Sequence, residues 1–245
     1  MHPTTTAEAL DIRERGKPID GVPQVIDRRL YMQLHVFGNC SCPETLIDPV
    51  QSSGLECALY SDLNDPCGIG MLTIAESPDT LVEEARSLLR DEPFASLHRK
   101  PELTMVGRTY STGFESDLED MLLAKPRRNS LNPQWPWAVW YPLRRKPEFG
   151  LLSREETGKI LGEHARIGRA YARVGYANDI RLACYGLDQN DNDFVIGLVS
   201  ADLYPLSRIV QEMRKTRQTA KYIQSLGPFF VGKAFWQSPS RKQKR

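Results

Sequence analysis

The sequence predicts an α+β fold built from two consecutive βαββαβ units, each an antiparallel sheet with its helices on one face. The first observation is that one order of apolar strand patterns and amphipathic helix patterns occurs twice along the chain. The second is that an Asp- and Asn-rich turn separates the two central strands in both halves, as LYSDLNDPCGIGML and as CYGLDQNDNDFVIGL. We therefore expect a tandem ferredoxin-like protein of the dimeric α/β-barrel type.

The first predicted unit covers residues 26–111 and follows an arm, residues 1–25, whose polar, threonine- and proline-containing composition predicts mobility. Apolar runs bounded by turn residues predict the strands, and Ser77 followed by Pro78 predicts the start of the second helix. In chain order we expect a strand at 29–38, a short helix at 44–50, strands at 55–63 and 68–75, a helix from Ser77, and a strand at 103–111.

The second predicted unit, residues 137–237, follows a connector at 112–136. The connector opens with an acidic segment of helical character and ends in KPRRNSLNPQWP, whose prolines and asparagines oppose regular structure. In the unit we expect a strand at 137–143, a helix at 153–174, strands at 180–187 and 194–200, a helix at 206–217 and a strand at 229–236. The remaining residues, 238–245, form a basic segment that we expect to be a solvated tail.

Composition sets limits on function. The 245 residues are 40% hydrophobic, and 32 Lys and Arg nearly balance 31 Asp and Glu, so overall charge gives no indication of a nucleic-acid partner. No apolar run approaches the roughly 18 residues of a membrane span, and the first residues lack the apolar core of a signal peptide. We therefore expect a cytoplasmic protein.

The cysteines are consistent with a reducing compartment. They number five, an odd count for a disulfide framework. Cys40, Cys42, Cys57 and Cys67 lie in the first third of the chain, but their spacing matches no established zinc pattern. Buried thiols are favoured over a metal site.

The predicted helix at 153–174 carries a single histidine on its apolar face. Ser153 and Glu156 form a capping-box pattern, and apolar residues follow at helical spacing. His164 stands four residues after Ile160 and three before Ile167, so its imidazole is expected to point inward. Three glycines weaken this helix and suggest that a bulky group approaches its backbone: Gly158, Gly162 and Gly168.

An interior histidine is usually a core residue, but the surrounding arginines favour a functional role here. Arg144, Arg145, Arg214 and Arg217 come from separate elements of one small unit. Guanidinium groups gathered in this way indicate an acidic ligand or a rim of carboxylates. A neutral imidazole together with several arginines would suit a metalloporphyrin, with nitrogen binding iron and arginines binding propionates.

Three segments carry a family resemblance: WYPLRR at 140–145, EHARIGRAY at 163–171, and GLDQNDNDFVIGL through EMRKTRQTAKYIQSLGPFFVG at 186–232. Their order and spacing resemble the chlorite dismutase and coproheme decarboxylase superfamily. Members of that superfamily are tandem ferredoxin-like proteins that bind haem in the C-terminal half. The N-terminal half of this chain agrees in fold pattern rather than in motif.

The resemblance implies roles for individual residues. His164 corresponds to the proximal iron ligand. Tyr141 corresponds to the tyrosine of a Tyr-Pro-Met motif, here Tyr-Pro-Leu, that is oxidised to a radical and abstracts hydrogen from a propionate. Arg145 stands where the decarboxylases keep a lysine, so any acid role of that lysine is in question. The implied propionate contacts are Arg214, Thr219, and either Arg127 or Arg128.

One position departs from the family pattern. Chlorite dismutases have an arginine, and some coproheme decarboxylases a glutamine, thirteen residues after the proximal histidine. This chain has Ala177 there, and realignment of the following segment would place Asp179 or Arg181 in that role instead. Tyr141 argues against chlorite chemistry, because chlorite dismutases carry an aliphatic residue at that point.

The resemblance therefore implies a haem-dependent oxidoreductase of the coproheme decarboxylase type. Its cofactor would be haem b or iron coproporphyrin, and its oxidant hydrogen peroxide. The alternatives are a chlorite-degrading or peroxidase-like haem enzyme, and a non-enzymatic haem or tetrapyrrole binder. Family members form rings, usually pentamers, so a homo-oligomer is also expected.

Overall fold

The computed structural model describes residues 10–239. Its N-terminal half contains seven strands and three short helices in this part of the chain. In order they are β1 Glu14–Arg15, β2 Val25–Ile26, β3 Tyr31–Gly38, α1 Ile47–Ser53, β4 Glu56–Asp62, β5 Ile69–Ala75, α2 Asp79–Val82, α3 Glu84–Leu88, β6 His98–Arg99 and β7 Met105–Arg108.

The C-terminal half begins with helices that follow the first sheet. A π-helical turn at Asp120–Ala124 leads into α4, Lys125–Ser130. The remaining elements are β8 Trp137–Arg145, α5 Arg154–Arg173, β9 Asn178–Ala183, β10 Phe194–Ser200, α6 Leu203–Met213, α7 Arg217–Tyr222, β11 Ile223–Leu226 and β12 Phe230–Gln237. None of the helices within residues 10–239 is both long and apolar enough to cross a membrane.

The sheet order confirms the predicted fold class. The first half gives the strand order β7-β3-β5-β4 and the second half gives β12-β8-β10-β9, which is the same antiparallel arrangement twice. Strand β4 pairs with β12, and β7 pairs with β9 through Arg108 and Ala183. These two junctions close the eight strands into a barrel, and β11 extends the pairing along the end of β8.

Strand alternation divides the apolar residues into an interior layer and two outer layers. Residues such as Trp140, Tyr60 and Phe230 fill the barrel interior and are essentially inaccessible to solvent. Neighbours such as Tyr141 point the other way, into the layer between the second sheet and helices α5 and α6. The candidate site lies in this outer layer.

The described part of the predicted arm forms a small hairpin. Strands β1 and β2 pair with each other, and the Glu14 carboxylate accepts hydrogen bonds from the Ser111 amide at 2.9 Å and its hydroxyl at 2.8 Å. The Lys17 amide donates to the Glu115 carbonyl at 2.9 Å. Polar composition alone did not indicate these hydrogen bonds, which fasten the segment to the residues after β7. Residues 1–9 lie outside the described part of the chain.

Two further segments differ from the predicted pattern. Residues 125–130 of the connector are helical, because Pro126 lies in the first turn of α4, where no intrahelical amide donor is required. Ser238, the first residue of the predicted tail, is buried, accepts a hydrogen bond from the Cys57 amide and donates to the Leu55 carbonyl. Residues 240–245 lie outside the described part.

Candidate functional site

The candidate site forms where α5 packs against the outer face of the second sheet. The capping box at its start is present, since the Ser153 hydroxyl accepts from the Glu156 amide at 3.2 Å and the Glu156 carboxylate accepts from the Ser153 amide. The helix therefore begins where the pattern predicted. This start places Ile160 and Ile167 in the apolar layer, with His164 between them.

His164 is half-buried and hydrogen-bonded to a residue that the sequence did not reveal as a partner. Its Nδ1 lies 3.3 Å from the hydroxyl of Thr216. That hydroxyl gives its hydrogen to the Met213 carbonyl at 2.7 Å, so it accepts the hydrogen of Nδ1. Nε2 then carries the lone pair, which is the arrangement that a metal-binding imidazole needs.

The protonation state of His164 supports the same role. Burial, followed by the charge of Arg145, lowers its pKa from 6.5 to about 4, and Arg181 acts in the same direction against the opposing charge of Asp179. The imidazole is therefore neutral at physiological pH. A neutral histidine can bind iron without first losing a proton.

Tyr141 lies on the sheet face of the same layer and is only 7% exposed. Its ring stacks on Phe229 with centroids 4.7 Å apart. Burial, with the charge of Asp179, raises its pKa against the opposing effect of Arg214, so the phenol stays protonated. Tyr141 is thus a buried, ring-stacked phenol close to an acidic and a basic side chain.

Strand register places Tyr141 and Arg181 in one row across the sheet. Ile196 on β10 pairs with Tyr141 on one side and with Arg181 on the other. The two side chains are therefore on the same face, about two strand spacings or roughly 10 Å apart. Asp179 stands two residues earlier on β9, so it shares this face, as does the buried methyl group of Ala177.

Arg145 and Arg214 bring positive charge to the site from different elements. The Arg145 guanidinium lies over the Phe149 ring at 4.5 Å and over the Phe194 ring at 4.6 Å. Its Nε is buried with no hydrogen-bond partner among the described residues. Arg214 ends α6 and is exposed. Within residues 10–239, neither side chain has a carboxylate within ion-pair distance.

Thr219 completes the predicted group near His164. Its hydroxyl lies 3.4 Å from that of Thr216, and its amide donates to the Thr216 hydroxyl in the first turn of α7. The break between α6 and α7 therefore places both threonines beside α5. Sequence reasoning predicted one uninterrupted helix there and so missed Thr216.

Arg127 and Arg128 do not join this group. Arg127 pairs with the buried Glu56 at 2.9 Å and with Glu76 at 3.3 Å, on the side of α4 that faces the first sheet. Arg128 pairs with Asp120 at 3.0 Å on the surface. The donors of both arginines are engaged by carboxylates of the protein itself.

Arg144 and Arg217 also have partners outside the site. Arg144 pairs with Asp191 and donates to the Asp191 carbonyl at 2.7 Å. Arg217 lies 4.0 Å from Glu163. The predicted arginine rim is thus reduced to Arg145 and Arg214, with Arg181 across the sheet.

These residues fit an iron porphyrin better than a bare metal ion. Among residues 10–239, no cluster of three or more His, Cys, Asp or Glu side chains is placed to hold a metal ion. A porphyrin brings its own ring nitrogens, so it needs from the protein one free imidazole nitrogen and cations for its carboxylates. His164 supplies the first, and Arg145, with its orphaned Nε, and Arg214 supply the second.

Comparison with known proteins decides the family. Residues 44–235 match the sequence family described as chlorite dismutase. The chain belongs to the chlorite dismutase family. The resemblance inferred from the three sequence segments is thereby confirmed.

Curated relatives of this chlorite dismutase family member match over part of their length. A coproheme decarboxylase of Oceanobacillus iheyensis is 35% identical over 104 residues, covering 41% of this chain and 40% of that protein. A putative heme-binding protein of Halobacterium salinarum is 33% identical over 114 residues, covering 44% of this chain and 22% of that protein. The chain spans less than half the length of either relative.

Solved structures agree with the fold over most of the chain. A heme-binding protein from Thermus thermophilus superposes with a TM-score of 0.67 at 21% identity, covering 84% of this chain and 93% of that one. A chlorite dismutase from Candidatus Nitrospira defluvii, in complex with imidazole, gives 0.66 at 15% identity, covering 87% and 93%. At these identities the likeness concerns the fold alone.

Proposed function

We propose that this family member binds an iron porphyrin through His164 and catalyses the peroxide-dependent oxidative decarboxylation of iron coproporphyrin to protohaem. The observation that carries the proposal is the state of His164: neutral, half-buried, and hydrogen-bonded through Nδ1 so that Nε2 is free. The coproheme decarboxylase among the relatives supports the choice of substrate.

Each side chain has a separate task in this proposal. Nε2 of His164 is the axial ligand, held in that tautomer by Thr216. The guanidinium groups of Arg145 and Arg214 pair with propionates. Arg145 retains its protons, so it orients a carboxylate and does not act as an acid.

Tyr141 is the residue proposed to react with the substrate side chain. When bound, the porphyrin supplies the redox chemistry and is itself the substrate. Tyr141 loses the hydrogen of its phenol and then takes a hydrogen atom from a propionate carbon. Its burial and its stacking on Phe229 keep water from the phenol and fix the position of the ring.

The test combines binding with product analysis. Purified protein is mixed with ferric coproporphyrin, titrated with hydrogen peroxide, and examined by absorption spectroscopy and mass spectrometry. Wild type is expected to lose two carboxyl groups from the porphyrin, Tyr141→Phe to bind without converting it, and His164→Ala to lose the Soret shift. Glu155→Gln, on the exposed side of α5, is the matched control. Unchanged tetracarboxylate after peroxide treatment of the wild type overturns the proposal.

A non-enzymatic haem or tetrapyrrole binder is the second candidate. It is favoured by the two relatives whose names describe heme-binding proteins, from Halobacterium salinarum and from Thermus thermophilus. This candidate predicts tight binding that needs His164 but no product with either wild type or Tyr141→Phe. The product analysis above therefore separates the two.

Self-association is part of the proposal. Val174, Tyr176 and Tyr204 are 59%, 57% and 71% exposed and belong to the segments that end α5 and begin α6. Such exposed apolar and aromatic side chains favour contact with a second copy of the chain. Sedimentation analysis is expected to show a homo-oligomer. A cytoplasmic location stays a prediction.

A further inference from the structure

The sheet face that lies across the layer from His164 carries three linked charges. Asp179 and Arg181 are on the same face of β9, and the Arg181 Nε lies 3.2 Å from the Asp179 carboxylate. Lys125 reaches the same carboxylate from α4 at 3.1 Å. All three line one recess, together with Tyr110 and Met121.

Asp179 is enclosed by the protein yet remains open to this recess. Burial alone would raise its pKa, but the charges of Lys125 and Arg181 outweigh burial and hold the pKa below its ordinary value of 3.8. At the same time 38% of the side chain is accessible. Asp179 is therefore an ionised carboxylate that faces the candidate site from the sheet side.

We propose that Asp179 determines which small molecule reacts at this site, by neutralising Arg181 and Lys125 so that a neutral oxidant is accepted and an anionic oxidant is disfavoured. This inference rests on the proposed function. It names the class of co-substrate as neutral peroxide rather than an oxychlorine anion. Asp179 is thus a specificity residue for the same site.

The physical reason is the difference between a free and a paired guanidinium. A free guanidinium and a free ammonium opposite the axial histidine would together attract an anion such as chlorite. In this chain the carboxylate occupies a donor of each cation and reduces their summed charge by one. An anion entering the recess must then compete with Asp179, whereas uncharged hydrogen peroxide does not.

The test measures anionic and neutral ligands on the same porphyrin-loaded protein. Wild type, Asp179→Asn, Lys125→Met and Glu155→Gln are loaded with ferric haem and titrated at about pH 8 with azide as the anion and imidazole as the neutral ligand. The Soret shift gives both affinities. Glu155 is an exposed carboxylate on α5 and serves as the matched charge control.

The two site variants are expected to change azide affinity in opposite directions. Asp179→Asn leaves both cations unpaired and is expected to tighten azide binding about tenfold, while Lys125→Met weakens it by a similar factor. Imidazole affinity should change little in either variant. Because the variants carry opposite changes of charge, a general loss of structure does not reproduce this pattern.

The outcomes separate this inference from the proposed function. A wild type that gives no haem Soret band overturns both. A normal Soret band with the same azide-to-imidazole affinity ratio in wild type and Asp179→Asn overturns the role of Asp179 alone. Equal weakening of both ligands in Asp179→Asn also overturns it, because that result assigns Asp179 a purely structural role.

Discussion

The Nδ1 atom of His164 and the hydroxyl of Thr216 lie 3.3 Å apart, which joins the middle of α5 to the start of α7. Thr216 is 2% exposed, and its own hydrogen is given to the Met213 carbonyl. The partner of the histidine is therefore a neutral acceptor. It fixes the orientation and tautomer of the imidazole without placing a negative charge on it.

Thr216→Val is expected to weaken iron porphyrin binding about tenfold or more, because the imidazole loses the acceptor that orients it. Thr216→Ser keeps the hydroxyl and should retain wild-type affinity. Soret titration measures both variants. Thr216 also caps α7, so a cost of about 1 kcal/mol in the free energy of unfolding is expected for valine and is measured separately. Wild-type porphyrin affinity in Thr216→Val would contradict this assignment.

Arg127 and Arg128 offer a matched pair of variants. Arg127→Met leaves the buried Glu56 carboxylate without its nearest partner and is expected to lower the free energy of unfolding by about 3 kcal/mol. Arg128→Met breaks an exposed pair and should cost less than about 1 kcal/mol. Urea denaturation measures both. Porphyrin affinity should stay close to wild type, and a large loss in either variant would instead support the propionate contact implied by the resemblance.

His35 makes stability depend on pH. It lies half-buried on β3, where burial, together with the charge of Arg99, lowers its pKa from 6.5 to about 4. Between these values the unfolded chain binds a proton that the folded chain does not. The free energy of unfolding therefore falls as pH drops through this window, by up to about 3 kcal/mol from His35.

The measurement is urea denaturation at a series of pH values between about 7 and 4. His35→Gln should show a smaller fall than wild type, and the difference between the two curves isolates His35 from His164, which titrates in the same direction. His98→Gln, at an exposed position, is the control and should run parallel to wild type. Parallel curves for His35→Gln would refute the expected contribution.

Local patterns predicted α5 well because its signals lie within a few residues of each other. The capping box needs only Ser153 and Glu156, and the inward direction of His164 follows from the spacing of neighbouring apolar residues. The position of Arg181 could not be obtained in this way. It depends on the register of β9 against β10, which pairs Arg181 with Ile196 and so brings it into the row of Tyr141.

Contacts between distant segments explain what the sequence did not reveal. Thr216 meets His164 across 52 positions, and only because the chain breaks between α6 and α7. Arg127 belonged by sequence to the predicted site, but Glu56 on the first sheet engages it. No spacing rule relates these residues, since their meeting depends on how the two halves pack.

The glycines show the same limit and provide the last prediction. A Cβ atom added to Gly158 or Gly162 on α5 would meet nothing within 4 Å, so the expected close approach to the protein backbone is absent there. The close approach occurs on β10 instead, where a Cβ on Gly197 would lie 2.6 Å from the ring of Trp140, its direct cross-strand partner.

Gly197→Ala is therefore expected to destabilise the protein by about 3 kcal/mol, because the fully buried Trp140 has no room to move aside. Gly158→Ala is the opposite case. Its methyl group enters open space on an exposed helical position, and the lower flexibility of alanine should stabilise the protein by about 1 kcal/mol. Thermal and urea denaturation of the two variants measure this difference in sign. A Gly197→Ala protein as stable as wild type would show that the indole of Trp140 does not fill the barrel interior over that glycine.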